Sequence, residues 1–169
     1  MSAHRVVVAL LTGLGITALA WPSVHTPVAR FVYNSSDSVP PGWYRVDPPD
    51  SLHVGSIVLT RLPADAAALA ARRGYLPKHI PLLKRIGALP PQQVCIEKQI
   101  VRIDGVAVVG VRAVDGHGRP LSAWEQCRRL HDGELFLLSA TNPASFDSRY
   151  FGPVGVSAVI GSAQPLWTW

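Results

Sequence analysis

The 169-residue sequence is poor in charge: Asp, Glu, Lys and Arg make up 16 % of it, against about 25 % in an ordinary soluble domain. Lysine is scarcer still, with Lys78, Lys84 and Lys98 the only three among 16 basic residues. No basic run exceeds two residues (Arg72-Arg73, Lys84-Arg85 and Arg128-Arg129). A net charge of +5 spread so thinly describes an Arg-rich solvated surface, so no nucleic-acid partner is expected. Internal repeats and low-complexity linkers are absent, which leaves one domain at this length. Two cysteines, Cys95 and Cys127, cannot fill a four-ligand zinc site, and no histidine spacing completes one. No metal and no cofactor is expected. The two thiols are either buried and free or joined in a disulfide in an oxidising compartment. With 48 % apolar residues the composition argues against a disordered chain, and 14 glycines with 15 prolines argue against a protein built mainly of long helices or a coiled coil.

One long apolar run is present, Val6 to Trp21, behind His4-Arg5 and ahead of Pro22. It is shorter than the roughly 20 residues of a spanning helix and longer than the apolar part of many leaders. Residues 1–22 are therefore expected to export or anchor the chain as an apolar helix, with anchoring preferred over cleavage at Ala18-Leu19-Ala20. Gly13-Leu14-Gly15-Ile16-Thr17-Ala18 matches a dinucleotide fingerprint in letters only. It lacks the strand before it, the amphipathic helix after it and further βαβ units.

From Phe31 onward short apolar runs alternate with turn residues, the pattern of a mainly β domain over residues 23–169. Gly55–Leu62, Pro81–Ile86, Glu134–Ser139 and Val154–Ala163 read as strands. Pro63–Arg73 reads as the one short helix, with Pro at its start and Gly74 past its end. Gln93–Ile103 and Val106–Val111 read as two strands joined at Asp104-Gly105 by a hairpin turn. Arg112–Pro120 and Thr141–Arg149 read as loops.

The sequence has no Gly-x-Ser-x-Gly elbow, no His-Glu-x-x-His and no phosphate-binding glycine loop ending in Lys-Ser or Lys-Thr. Three other segments stand out. Hydroxyls crowd Asn34-Ser35-Ser36-Asp37-Ser38 just before Val39-Pro40-Pro41-Gly42. Lys84 sits inside the apolar run Leu82-Leu83-Lys84-Arg85-Ile86. Burial there disfavours the ammonium, which lowers the pKa and makes the amine a general base near neutral pH. The third is the polar loop Ser145-Phe146-Asp147-Ser148-Arg149-Tyr150.

In order and spacing these segments resemble the signal peptidase clan of serine peptidases, which use a Ser-Lys dyad. Ser36-Asp37-Ser38-Val39-Pro40 resembles the nucleophile motif, Leu82 to Ile86 the base motif, and Ser145 to Tyr150 the third box. Gly42-Trp43-Tyr44 after the nucleophile, and Gly118-Arg119-Pro120-Leu121 leading to Trp124 and Cys127, resemble the TraF-type conjugative-transfer branch. Departures from the housekeeping pattern point the same way. Val39 stands where those enzymes carry Met, and Leu89-Pro90-Pro91-Gln92 stands in place of a Pro-Gly-Asp turn.

The resemblance implies a signal-peptidase-like β catalytic domain with Ser38 as nucleophile and Lys84 as base. It implies the Ser36 hydroxyl and the Ser38 backbone N–H as oxyanion donors. Ser145 would aim the lysine, and Asp147 and Arg149 would hold the loop, with a catalytic part for Asp147 left open. An active site outside the cytoplasmic membrane also implies a Cys95–Cys127 disulfide. The expected function is a membrane-associated endopeptidase with its catalytic domain in the periplasm. Its partners would be a propilin or other secreted precursor and membrane lipid, with Trp43 and Trp167 near an apolar mouth. Joining of the pilin ends is implied as a further outcome. A general leader peptidase and a catalytically silent β-domain of the transfer apparatus are the alternatives.

Overall fold

The structure, a computed structural model, describes residues 3–24 and 30–169, and side chains within the first segment only as far as residue 18. Helix α1 spans Ala3–Val24. Its backbone continues past Pro22, where the sequence suggested an end. Side chains of the candidate cleavage residues Leu19 and Ala20 lie outside the described residues. Among the described residues no helix is long and apolar enough to cross a membrane.

The described residues 30–169 contain eleven strands. β1 (Phe31–Asn34), β2 (Gly42–Asp47), β3 (Ile57–Thr60), β4 (Leu82–Ala88), β9 (Glu134–Leu137), β10 (Val154–Gly155) and β11 (Val159–Thr168) form one sheet in the order β1-β2-β11-β3-β4-β9-β10. β5 (Gln93–Glu97), β6 (Ile100–Ile103), β7 (Val106–Gly110) and β8 (Cys127–Arg129) form a second, in the order β7-β6-β5-β8. Every pairing is antiparallel, as expected for strands this short joined by tight turns. β3 and β4 are the middle of the large sheet, and all four residues of β3 are buried. One apolar cluster, which includes Val39, Tyr44, Leu59 and Leu83, packs beneath the β1–β2 connection. Another joins Val58, Ile86, Leu135 and Leu137. A third, with Val94, Val101, Phe136 and Leu138, cements the small sheet to the end of β9.

Helix α2 (Ala64–Arg73) is capped by Gly74, whose left-handed φ of 73° lets its N–H reach the Ala70 and Ala71 carbonyls. Three expectations need correction. The run read as a single strand from Gln93 to Ile103 folds back at Lys98-Gln99, whose φ values are 50° and 60°. It therefore makes a tight hairpin before the Asp104-Gly105 one. The strand read over Val154–Ala163 is broken by a 3-10 turn at Val156–Ala158 between β10 and β11. The short-helix count also rises to two, because α3 (Ser148–Phe151) starts inside the stretch read as a loop, with the Asp147 carboxylate accepting from the Arg149 N–H at its N-cap.

Cys95 and Cys127 are register partners on β5 and β8 and form a disulfide across 32 residues of sequence. Closing a loop of that length contributes about 3–4 kcal/mol by the chain-entropy account. Melting with and without reductant is expected to show a midpoint lower by roughly 10 °C once the bond is reduced.

Candidate active site

Asn34 ends β1 and governs the loop that follows. Its amide Nδ2 donates to the carbonyls of Ser36 (2.7 Å), Val39 (2.9 Å) and Pro40 (3.2 Å). Its Oδ1 accepts from the Ser36 N–H (3.2 Å) and the Ser36 hydroxyl (2.9 Å). Buried Tyr44 donates its hydroxyl to the same Pro40 carbonyl at 2.6 Å. Gly42 closes the loop at φ 143°, where a Cβ would run into the Trp167 carbonyl of β11. The result is a short, pinned turn that presents Ser38 half-buried, with Val39 tucked into the core below.

Lys84 arrives from β4 as the register partner of Val58. It is 1 % exposed, and its Nζ lies 2.5 Å from Ser38 Oγ. The same amine bonds to the Ser145 hydroxyl, and Ser145 is also buried. Burial lowers the Lys84 pKa from 10.5 to about 8. The charge of Asp147 works against that shift and the charge of Arg149 with it. The Ser36 hydroxyl stands 3.4 Å from Ser38 Oγ.

Asp147 and Arg149 have no solvent exposure. Their pair is bidentate, Nε to Oδ1 at 2.8 Å and Nη2 to Oδ2 at 2.9 Å. Asp147 also accepts the Ser139 N–H at 3.0 Å. The rest of the guanidinium is consumed by the carbonyls of Gly110, Asn142, Pro143 and Ser145. This pair thus ties the loop bearing Ser145 to the ends of β7 and β9. Of the three residues expected to act in catalysis, Ser38 and Lys84 meet, while Asp147 spends its hydrogen bonds on Arg149 and the Ser139 amide and reaches Lys84 through charge.

Two clefts flank the serines. One of about 290 Å³ opens beside Ser36, walled by Leu62, Ala70, Leu76, Leu82 and Phe146. The other, about 360 Å³, runs along Ser38, Val39, Pro41, Thr141 and Trp169. The wall of the first is braced by a cluster the sequence reading did not find. Asp115 accepts from the Tyr75 hydroxyl, the Arg119 Nε (2.7 Å) and the His117 and Arg119 amides (2.8 and 2.9 Å). Desolvation works to raise the Asp115 pKa, but these hydrogen bonds, with that from Tyr75 the largest, outweigh it and hold the carboxyl well below its usual range. Asn34 was missed as well. Its only sequence signal is a polar amide closing an apolar strand directly before a hydroxyl cluster.

A mainly antiparallel β domain thus brings a pinned serine onto a buried lysine, and sequence comparison places the chain within one family. The family model for signal peptidases, peptidase S26, matches residues 3–169, and the chain belongs to that family. Among curated relatives it is similar to the conjugal transfer protein TraF of Agrobacterium tumefaciens strain 15955, at 33 % identity over 98 % of this chain and 97 % of the relative. The conjugal transfer protein TraF of Agrobacterium fabrum is 34 % identical over 95 % of this chain and 96 % of the relative. A crystal structure of a signal peptidase I from Enterococcus faecalis superposes with a TM-score of 0.42 at 21 % identity, covering 68 % of this chain and 97 % of that one. The chain is accordingly a signal-peptidase-like protein of the TraF type.

Proposed function

We propose that this protein is a serine endopeptidase that works by a Ser38–Lys84 dyad and cleaves a propilin or similar exported precursor for conjugative transfer. The observation that carries this reading is the 2.5 Å approach of a buried Lys84 amine to Ser38 Oγ. Neutral Lys84 takes the Ser38 proton as Oγ attacks the scissile carbonyl. The negative oxygen of the tetrahedral intermediate is met by the Ser38 N–H and the Ser36 hydroxyl. The Lys84 ammonium then returns the proton to the leaving amine as the C–N bond breaks. Ser145 holds the amine on line, with its own loop fixed by Asp147 and Arg149. Water resolves the acyl-enzyme to a free carboxylate. A well-placed amine would instead form a new peptide bond, which is the route by which pilin ends would be joined. The names of the relatives favour conjugative transfer over general leader removal.

Exposed Phe31, Tyr33, Trp43, Leu166, Trp167 and Trp169 lie on β1, β2 and β11 and at their ends. Trp43 and Trp167 are register partners, and the Tyr33 ring lies 5.3 Å from that of Trp43 and 6.1 Å from that of Trp169. Trp169 also lines the cleft beside Ser38. Such a belt suits the lipid interface. It supports a membrane-associated enzyme with its catalytic domain in the periplasm and a cleavage site that emerges from the bilayer.

The test is the pH dependence of cleavage of a quenched-fluorescence peptide carrying an exported-precursor leader junction. The active form holds Lys84 neutral, so kcat/KM is expected to rise with pH to a plateau. The limb is centred near 8, about two units below an ordinary lysine. A limb at the ordinary lysine value, or no cleavage by wild type, would overturn the reading.

A further inference from the structure

The proposed mechanism asks the Ser36 hydroxyl to meet an oxyanion, and the structure shows where that proton rests beforehand. The three partners of Asn34 Nδ2 are carbonyl oxygens, and one partner of Oδ1 is a backbone N–H. That pattern admits one orientation of the amide. The Ser36 Oγ facing Oδ1 must therefore be the donor, with its single proton aimed at Asn34. Resting on the dyad reading above, we propose that Asn34 is the positioning residue of the oxyanion donor. It fixes the Ser36 oxygen beside Ser38 and parks its proton on a neutral acceptor. Rotation about one C–O bond then delivers that proton to the developing oxyanion.

The geometry makes this more than a loop staple. Ser36 is an exposed residue on the seven-residue connection between β1 and β2, and a free serine there would spread over its rotamers. Asn34 is 7 % exposed and holds both the backbone and the side chain of Ser36. Its weakly basic amide oxygen gives the proton up more readily than a carboxylate would. Tyr44 offers a built-in control. Its hydroxyl pins the Pro40 carbonyl of the same turn without touching Ser36.

The experiment is a double-mutant cycle with the leader-junction peptide. Asn34→Ala and the isosteric Asn34→Asp are each measured alone and together with Ser36→Ala, with Tyr44→Phe as comparison and thermal melts for every variant. Each Asn34 change is expected to lower kcat about 10- to 100-fold, within the range of losing one oxyanion donor, with KM within about threefold. In the Ser36→Ala background the same changes should cost less than about threefold, because their target is gone. Tyr44→Phe should multiply independently with Ser36→Ala. Equal losses in both backgrounds would overturn the proposal, as would a change confined to KM. So would failure of both Asn34 variants to fold, since Asn34 would then serve the fold and not the donor. Turnover by Ser38→Ala would instead sink the dyad reading itself, an outcome separable from any result at Asn34.

Discussion

Ser38→Ala is expected to lower turnover of a leader-junction peptide by at least about 10⁴-fold, as nucleophile removal does in serine hydrolases generally. Lys84→Met should do nearly as much, because among the described residues no other base bonds to Ser38 Oγ. The next hydroxyl, Ser36 Oγ at 3.4 Å, is no base at neutral pH. The two losses should not add: the double variant is expected to be no worse than the poorer single one, because the residues act as a unit. Circular dichroism and melts on the same samples separate chemistry from folding. Ser38 is half-buried and its substitution removes one oxygen, so Ser38→Ala should melt within a degree or two of wild type. Retained cleavage in either single variant would end the dyad reading, whereas absence of cleavage by wild type would leave the silent β-domain as the explanation.

The second large effect falls on stability. Asp147→Asn removes the carboxylate that pairs, among the described residues, with a guanidinium of no solvent exposure. An uncompensated buried charge of this kind costs about 3–5 kcal/mol, which corresponds to a melting midpoint lower by roughly 10 °C for a chain of this size. Arg149→Met should cost a similar amount, with a different set of orphans. It leaves Asp147 unpaired and frees the Gly110, Asn142, Pro143 and Ser145 carbonyls at once. The two variants part company in their pH profiles. Asp147 raises the Lys84 pKa and Arg149 lowers it, so the limb near 8 moves down in Asp147→Asn and up in Arg149→Met. A limb that stays put in both, measured at a temperature where both are folded, would show that the pair holds the loop without touching the electrostatics of the base.

Much of this was legible in the sequence, and the reasons are local. Pro63 and Gly74 bracket a helix because one fixes φ and the other tolerates left-handed backbone, and α2 occupies the interval between them. Asp104-Gly105 makes a hairpin because its residues suit a left-handed turn. Lys84 attracted notice because a cation within an apolar run needs an explanation. What escaped was settled by tertiary contacts. Lys98 and Gln99 carry no turn signature, yet strand pairing on both sides forces them to positive φ. Helix α3 is one turn long, and its N-cap Asp147 is held by Arg149 and by an amide of the β9 end. The amide network of Asn34 could not be anticipated from composition, because its five partners come into reach only when β1 and β2 pair.

The buried lysine also has a thermodynamic consequence. In the unfolded chain Lys84 titrates near 10.5, and in the fold near 8. Between those values the unfolded state binds more protons, so stability rises with pH across that window. Below about 8 the fold carries the full penalty of a desolvated ammonium, on the order of 3 kcal/mol. An apolar residue of similar length at this position would relieve it. The inactive Lys84→Met chain should therefore outlast the active one in urea at neutral pH, and the gap should close as the solution is made alkaline. On the dyad reading, the stability given up at this position is the cost of holding a reactive amine in the β-scaffold.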